Sequence, residues 1–235
     1  MMEQITILST KKLKASVRQK AAQNGIHFLH DNFIAIDYLE DESVKQSFES
    51  LQEHLVFTSQ HAVKGFQKNT DNYEHPLPAK KIFCLNGETL KAVHTIKNAE
   101  VVSVSDHADA LAKDITRHPE IKAVSFICGN KRLDHLPNLL KKNNINVNEV
   151  MVYRTSYSGK RIHENYEAVF FFSPTGVESF FQTNILPRET PCFCIGDTTA
   201  SSVREHTKNA VIVAEQSTQD SMLEAAQQYF LIKKR

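Results

Sequence analysis

The residues of this chain best suited to chemistry are small, polar and repeated. They are Thr58-Ser59, Thr89 behind Asn86-Gly87, Gly129-Asn130, Ser173-Pro174-Thr175, Gly196 with Thr198 and Thr199, and Ser217. Each follows a β-prone run and opens a helical pattern. At such a junction a Ser or Thr oxygen accepts a backbone N–H of the first helical turn. The same turn exposes further N–H groups and the positive end of the helix dipole, which suit a carboxylate or phosphate. A single turn of this kind reads equally well as a helix cap. The whole set, in both halves of the chain, points to an anionic ligand. Arg132 lies one turn beyond Gly129, where it could pair with a ligand carboxylate or face solvent. Tyr153 ends the run Val150-Met151-Val152-Tyr153, and its phenol could project into a site or pack within the strand.

Other chemistries lack their residues. No GxGxxG opens a helix and no GxxxxGK[ST] occurs, so the nucleotide-binding loops are missing. The four cysteines lie in apolar runs, and Cys192-x-Cys194 lacks the gap of a zinc knuckle. The eleven histidines form no HExxH pattern, so no metal is expected. Buried reduced thiols and the absence of a secretory signal at the N-terminus suggest a cytoplasmic protein. A net charge of +1 does not suit nucleic acid or an anionic membrane, and no apolar run is long enough to span a bilayer. With no exposed apolar stripe in the pattern, a monomer is expected.

The elements that must position these residues alternate. Strand runs are expected at 5–8, 54–57, 81–85, 101–104, 123–128, 168–172, 191–195 and 210–213. Helical patterns include 13–23, 133–143 and 220–231, with Gly25 placed as a C-terminal cap of the first. This alternation is that of α/β units with largely parallel sheets.

The chain also repeats itself. Phe57-Thr58-Ser59 through Phe66 reads against Phe171-Phe172-Ser173 through Phe180. Cys84–Thr89 reads against Cys194–Thr199, and Ile5–Tyr38 against Val124–Tyr157. Order and spacing hold across the three matches, which implies two related halves. Tyr38 and Tyr157 occupy equivalent positions and read as structural. The β-prone runs 32–39 and 150–157 are the natural connectors, and two lobes so joined would enclose a cleft at their strand ends. A two-lobed anion sensor without catalysis is the alternative that this pattern allows.

These residues together resemble the uroporphyrinogen-III synthase family. The resemblance rests on Phe57-Thr58-Ser59 with Ala62-Val63, Gly129-Asn130-x-Arg132 with Leu136-Pro137, and Val152-Tyr153-x-Thr155. It continues through Phe172-Ser173-Pro174 with Gly176-Val177, Ile195-Gly196-Asp197-Thr198-Thr199-Ala200, and Ala214-Glu215-x-Ser217-Thr218. Asn86, Gln60 and Asp197 depart from the residues common at those places. The resemblance implies an α/β fold of two flavodoxin-like lobes with parallel sheets, joined by a two-stranded antiparallel connector. One lobe would be 1–31 with 158–235, the other 40–149, and 32–39 and 150–157 the hinge strands. It implies as substrate hydroxymethylbilane, a linear tetrapyrrole bearing acetates and propionates, received by transient handover from hydroxymethylbilane synthase. The reaction closes the ring with inversion of ring D and loss of water, and needs no cofactor. Tyr153 would assist departure of the hydroxyl. The small polar turns would hold carboxylates.

Overall fold

The protein is described by a computed structural model covering residues 4–71 and 78–233. Its contacts divide the chain into two compact units, Met1–Ala35 with Ser156–Arg235, and Ile36–Thr155. Each unit is built on its own sheet and is described separately.

The first unit contains β1 (Ile5–Ser9), α1 (Ala15–Gln23) and β2 (Ile26–His30), and later β9 (Ala168–Phe171), α7 (Pro174–Thr183), β10 (Cys192–Cys194), α8 (Asp197–His206), β11 (Val211–Val213) and α9 (Gln219–Lys233). The second contains α2 (Glu42–Glu49), β4 (His54–Phe57), α3 (Gln60–Asp71), β5 (Lys80–Leu85), α4 (Glu88–Val93), β6 (Ala99–Ser105), α5 (Ala108–Thr116), β7 (Ala123–Gly129) and α6 (His135–Lys142). Strands β3 (Ile34–Tyr38) and β8 (Asn146–Tyr157) carry the chain across the division, and both belong to the second sheet.

The expected strands all form, within a residue or two at their ends. Gly25 adopts φ +70 behind α1, and its N–H bonds the Ala22 carbonyl at 3.1 Å, as a left-handed cap requires. Strand β3 falls within the β-prone run 32–39 expected as a connector. Among the elements not marked in the sequence are β2, only five residues with polar His27 and His30 in it, and the eight-residue α2. Helix α2 nevertheless carries its start signal, since the Asp41 side chain accepts the Val44 N–H.

The repeat seen in the sequence is visible in the topology. The first sheet runs β11-β10-β9-β1-β2, and the second runs β6-β5-β4-β7-β8, with β3 added outside β8. The sequence matches pair β7 with β1, β8 with β2, β4 with β9 and β5 with β10. Making those exchanges, with β6 for β11, turns one order into the other. The two units thus share one spatial arrangement entered at different points of the chain. In chain numbering the first sheet has the flavodoxin order 2-1-3-4-5 and the second the order 3-2-1-4-5. Neighbours pair in parallel throughout the registers β1–β2, β1–β9, β9–β10, β10–β11, β4–β5, β5–β6, β4–β7 and β7–β8.

Such strands are covered on both faces and read as unbroken apolar runs. Ala168–Phe171 and Val124–Cys128 are fully buried. Phe170 packs among Phe28, Phe172 and Phe193 on one face of the first sheet, and Phe171 against Phe180 and Phe181 on the other. The cysteines belong to these cores. Burial pushes the thiols of Cys84 and Cys128 up to about 11, and those of Cys192 and Cys194 up to about 12. They therefore behave as small apolar side chains.

One close approach in the second unit fixes where β8 lies. Helix α3 crosses β8 at Gly65, where the helix has no side chain of its own. A Cβ there would lie 2.6 Å from the Val152 carbonyl oxygen and 2.8 Å from Val152 Cγ2. Gly65→Ala gains helix propensity but forces α3 off β8. The net expectation is a loss of about 2 kcal/mol, seen as a fall in melting temperature of roughly 4–8 °C.

Candidate functional site

Each sheet reverses its winding once, between β1 and β9 in the first unit and between β7 and β4 in the second. In open α/β sheets the crevice beyond the carboxyl ends at such a reversal is where ligands bind. The turns singled out in the sequence sit at these carboxyl ends.

In the second unit a hollow of about 370 Å³ opens at the reversal, lined in part by Thr58, Ser59, Gly129, Arg132, Leu133 and Tyr153. Tyr153 is aimed there by an irregularity in β8. The β7–β8 register pairs Cys128 with Met151 but Gly129 with Tyr153, leaving Val152 as an extra residue. A bulge of this kind changes which way the next side chain faces. The Val152 carbonyl accepts the Leu39 N–H at 3.0 Å, so the bulged backbone is satisfied.

The phenol of Tyr153 then lies directly on Gly129. A Cβ on Gly129 would sit 2.4 Å from Tyr153 Cζ and 2.5 Å from Cε2. Gly129 is therefore the floor under the ring. The phenol shares the hollow with Ser59, whose hydroxyl accepts the His61 N–H at 3.1 Å as the cap of α3. Burial raises the Tyr153 pKa above its ordinary value, against a smaller opposite pull from Ser59. The group keeps its proton at neutral pH and stands as a hydrogen-bond or proton donor.

Asn130 holds the strand that carries Tyr153. Its Oδ1 accepts the Thr155 N–H at 2.7 Å and its Nδ2 donates to the Thr155 carbonyl at 3.2 Å. Asn130→Ala removes both bonds and should cost about 1–2 kcal/mol in denaturant unfolding. Asn130→Asp keeps the acceptor and should recover part of that loss.

Arg132 reaches the hollow with its charge already met. Its guanidinium pairs with Glu149, including Nε to Oε2 at 2.5 Å, and with Asp134 at 2.5 Å. A ligand carboxylate would compete with these for the guanidinium.

The remaining turns fall into two kinds. Ser59 and Ser173 are true caps, Ser173 accepting the Gly176 N–H at 3.1 Å with Pro174 next in the helix and Thr175 half-buried after it. Helices α4 and α8 instead start on Gly87 and Gly196, with no side chain capping them. There Thr89 and Thr199 are buried in the first turn, whereas Thr198 is exposed. Gly196 lies beside Ser217, whose Oγ would be 3.6 Å from a Cβ added at the glycine. The repeat-related helices thus share their type of start, capped in α3 and α7 and open in α4 and α8.

Thr58, Ser59, Gly129, Arg132 and Tyr153 are thus gathered at one hollow. Ser173, Pro174, Thr175, Gly196, Thr198, Thr199 and Ser217 stand along the carboxyl edge of the other sheet. Thr10, unremarked in the sequence, closes the end of β1 with its hydroxyl on the Phe170 carbonyl at 2.9 Å. The repeat offers the signal for it, since Thr10 matches Gly129. His61, half-buried and 5.8 Å between ring centroids from Tyr153, was also missed. A lone histidine in a helix start carries no sequence signal.

Comparison with known proteins gives a consistent result. Residues 15–224 match the family described as uroporphyrinogen-III synthase HemD. The porphyrin biosynthesis protein HemD of Ruminiclostridium josui is 25% identical over 211 residues, spanning 79% of this chain and 40% of that protein. The chain thus spans well under half the length of this curated relative. A mutant uroporphyrinogen III synthase from Thermus thermophilus superposes with a TM-score of 0.69 at 17% identity, over 98% of this chain and 100% of that one. The uroporphyrinogen-III synthetase of Helicobacter pylori 26695 gives a TM-score of 0.69 at 16% identity, over 96% and 99%. At these identities the two structures show a shared fold. Among the described residues, no helix is long and apolar enough to cross a membrane.

Proposed function

The chain belongs to the uroporphyrinogen-III synthase family, and from that premise we propose that it converts hydroxymethylbilane to uroporphyrinogen III and water. The observation that carries the proposal is the seating of Tyr153. A protonated, half-buried phenol stands at the sheet reversal, aimed by a bulge and floored by Gly129. In this reading it donates to the terminal hydroxyl of the substrate as that group leaves as water. The azafulvene so formed is attacked by the substituted carbon of ring D. The spiro intermediate fragments and recloses with ring D inverted. The substrate supplies the electrophile and the leaving group, so the protein's work is to hold the geometry and donate one proton, which the phenolate takes back from the substrate as the closed ring regains its aromatic pyrroles.

The substrate's carboxylates need donors. The open start of α8, with Gly196, Thr198 and Thr199, offers backbone N–H groups at a helix dipole, and Ser217 adds a hydroxyl beside it. Thr58, Ser59 and Thr89 are candidates on the second unit, and Ser173, Pro174 and Thr175 on the first. Arg132 joins them where a carboxylate competes for it with Asp134 and Glu149. Gly129 and Asn130 contribute through Tyr153 and its strand. Runs 32–39 and 150–157 are proposed as hinge strands between domains 1–31 with 158–235 and 40–149. We place the protein in the cytoplasm as a monomer, taking its labile substrate from hydroxymethylbilane synthase.

Genetic complementation tests the activity. Expression in a haem-requiring bacterium that lacks this synthase should restore growth without added haem. Continued dependence on haem, with the protein present and soluble, would oppose the proposal.

A further inference from the structure

The Tyr153 ring rests on Gly129, and its tilt sets the plane in which the phenolic O–H points. His61 is a ring neighbour that bears on that tilt. Its ring stands 5.8 Å from the Tyr153 ring at an interplanar angle of 47°. His61 is in turn held from behind, its Nδ1 hydrogen-bonded to the Tyr38 hydroxyl at 3.1 Å. Tyr38 is itself pinned, because the Lys68 ammonium lies 5.2 Å over its ring and pairs with Glu40 at 3.1 Å. Tyr38 ends β3, while His61 and Lys68 lie on α3, so the array joins rigid elements of the second unit.

We propose that His61, seated by Tyr38, is a positioning residue that sets the angle of the Tyr153 phenol toward the departing hydroxyl. This rests on the synthase reading of the site. Tyr38 then has a task beyond its structural place at the end of a connector. Its repeat counterpart Tyr157 instead bonds the Glu178 carboxylate and faces no catalytic phenol. The arrangement is specific to one unit, as a device serving one phenol should be.

The test uses Tyr38→Phe and His61→Phe, each alone and combined with Tyr153→Phe, in steady-state assays of type III isomer formation. Tyr38→Phe removes only the hydroxyl, His61→Phe keeps an aromatic ring at the site, and each should melt close to the wild type. Each should lower kcat roughly five- to tenfold with KM little changed, since orientation rather than binding is lost. In the Tyr153→Phe background the same changes should have no further effect, because their target is gone. An unchanged kcat in both single variants, or an equal loss in both backgrounds, would overturn the proposal. If the wild type forms no type III isomer, the reaction assignment fails on its own control. The positioning role is then read from the ring resonances of tyrosine-labelled protein, with Tyr153 identified by its loss in Tyr153→Phe. That resonance should move in Tyr38→Phe, and an unmoved one would reject the role.

Discussion

Gly129→Ala is expected to leave a folded protein that has lost nearly all synthase activity. The added methyl would lie 2.4, 2.5 and 2.8 Å from three atoms of the Tyr153 ring. No relaxation of a few tenths of an ångström accommodates that. The ring must leave its place or β7 must part from β8. Parting the strands is opposed by their ladder from Ala123 to Gly129 and by the Asn130 clamp on Thr155. The ring therefore moves, by about an ångström or more, and carries the phenol oxygen out of its place. A displacement of that size at a reacting group costs about a hundredfold in rate. The stability cost should be about 1–3 kcal/mol, the range for overpacking. Combining Gly129→Ala with Tyr153→Ala should return most of the stability and none of the activity. Melting curves and type III turnover decide this, and near-normal turnover in Gly129→Ala would show that the seating of the ring is irrelevant.

The second large effect is that of Tyr153→Phe. It removes one oxygen and leaves the floor, the His61 contact and the Ser59 cap intact. Stability should change by less than about 1 kcal/mol, the worth of one partly exposed hydrogen bond. Turnover should fall about a hundredfold, at the low end for loss of a general acid. The pH profile adds a signed prediction. Burial raises the phenol pKa above its ordinary value of 10.0, so its proton is lost only on the alkaline side of that value. An alkaline limb caused by this group must lie above pH 10 and must vanish in Tyr153→Phe. A limb that persists in the variant belongs to another group.

Much of this fold was legible in the residues, and the reason is the repeat. Buried parallel strands read as apolar runs whatever their order, so Ala168–Phe171 and Val124–Cys128 declared themselves. The matches between halves carried more than similarity, since they map one strand order onto the other. The site was legible as a set of turns but not as an arrangement. The sequence marks Gly129 and Tyr153 separately, but the bulge at Val152 that puts one on the other is a matter of register, which composition does not encode. The pairing of Arg132 with Glu149 could not be seen, because Glu149 is seventeen residues away on β8. The bonds of Asn130 go to the backbone of Thr155, and no residue pattern announces such a contact. The Ser and Gly starts of the helices looked alike, and only the cap bonds separate Ser59 and Ser173 from the open turns at Gly87 and Gly196.

The synthase assignment stands or falls on the isomer ratio in a coupled reaction. Porphobilinogen and hydroxymethylbilane synthase supply the substrate, purified protein is added, and the products are oxidised and separated. Type III uroporphyrin should predominate with the wild type and fall toward the uncatalysed type I product with Tyr153→Phe. Type I alone with the folded wild-type protein would contradict the assignment.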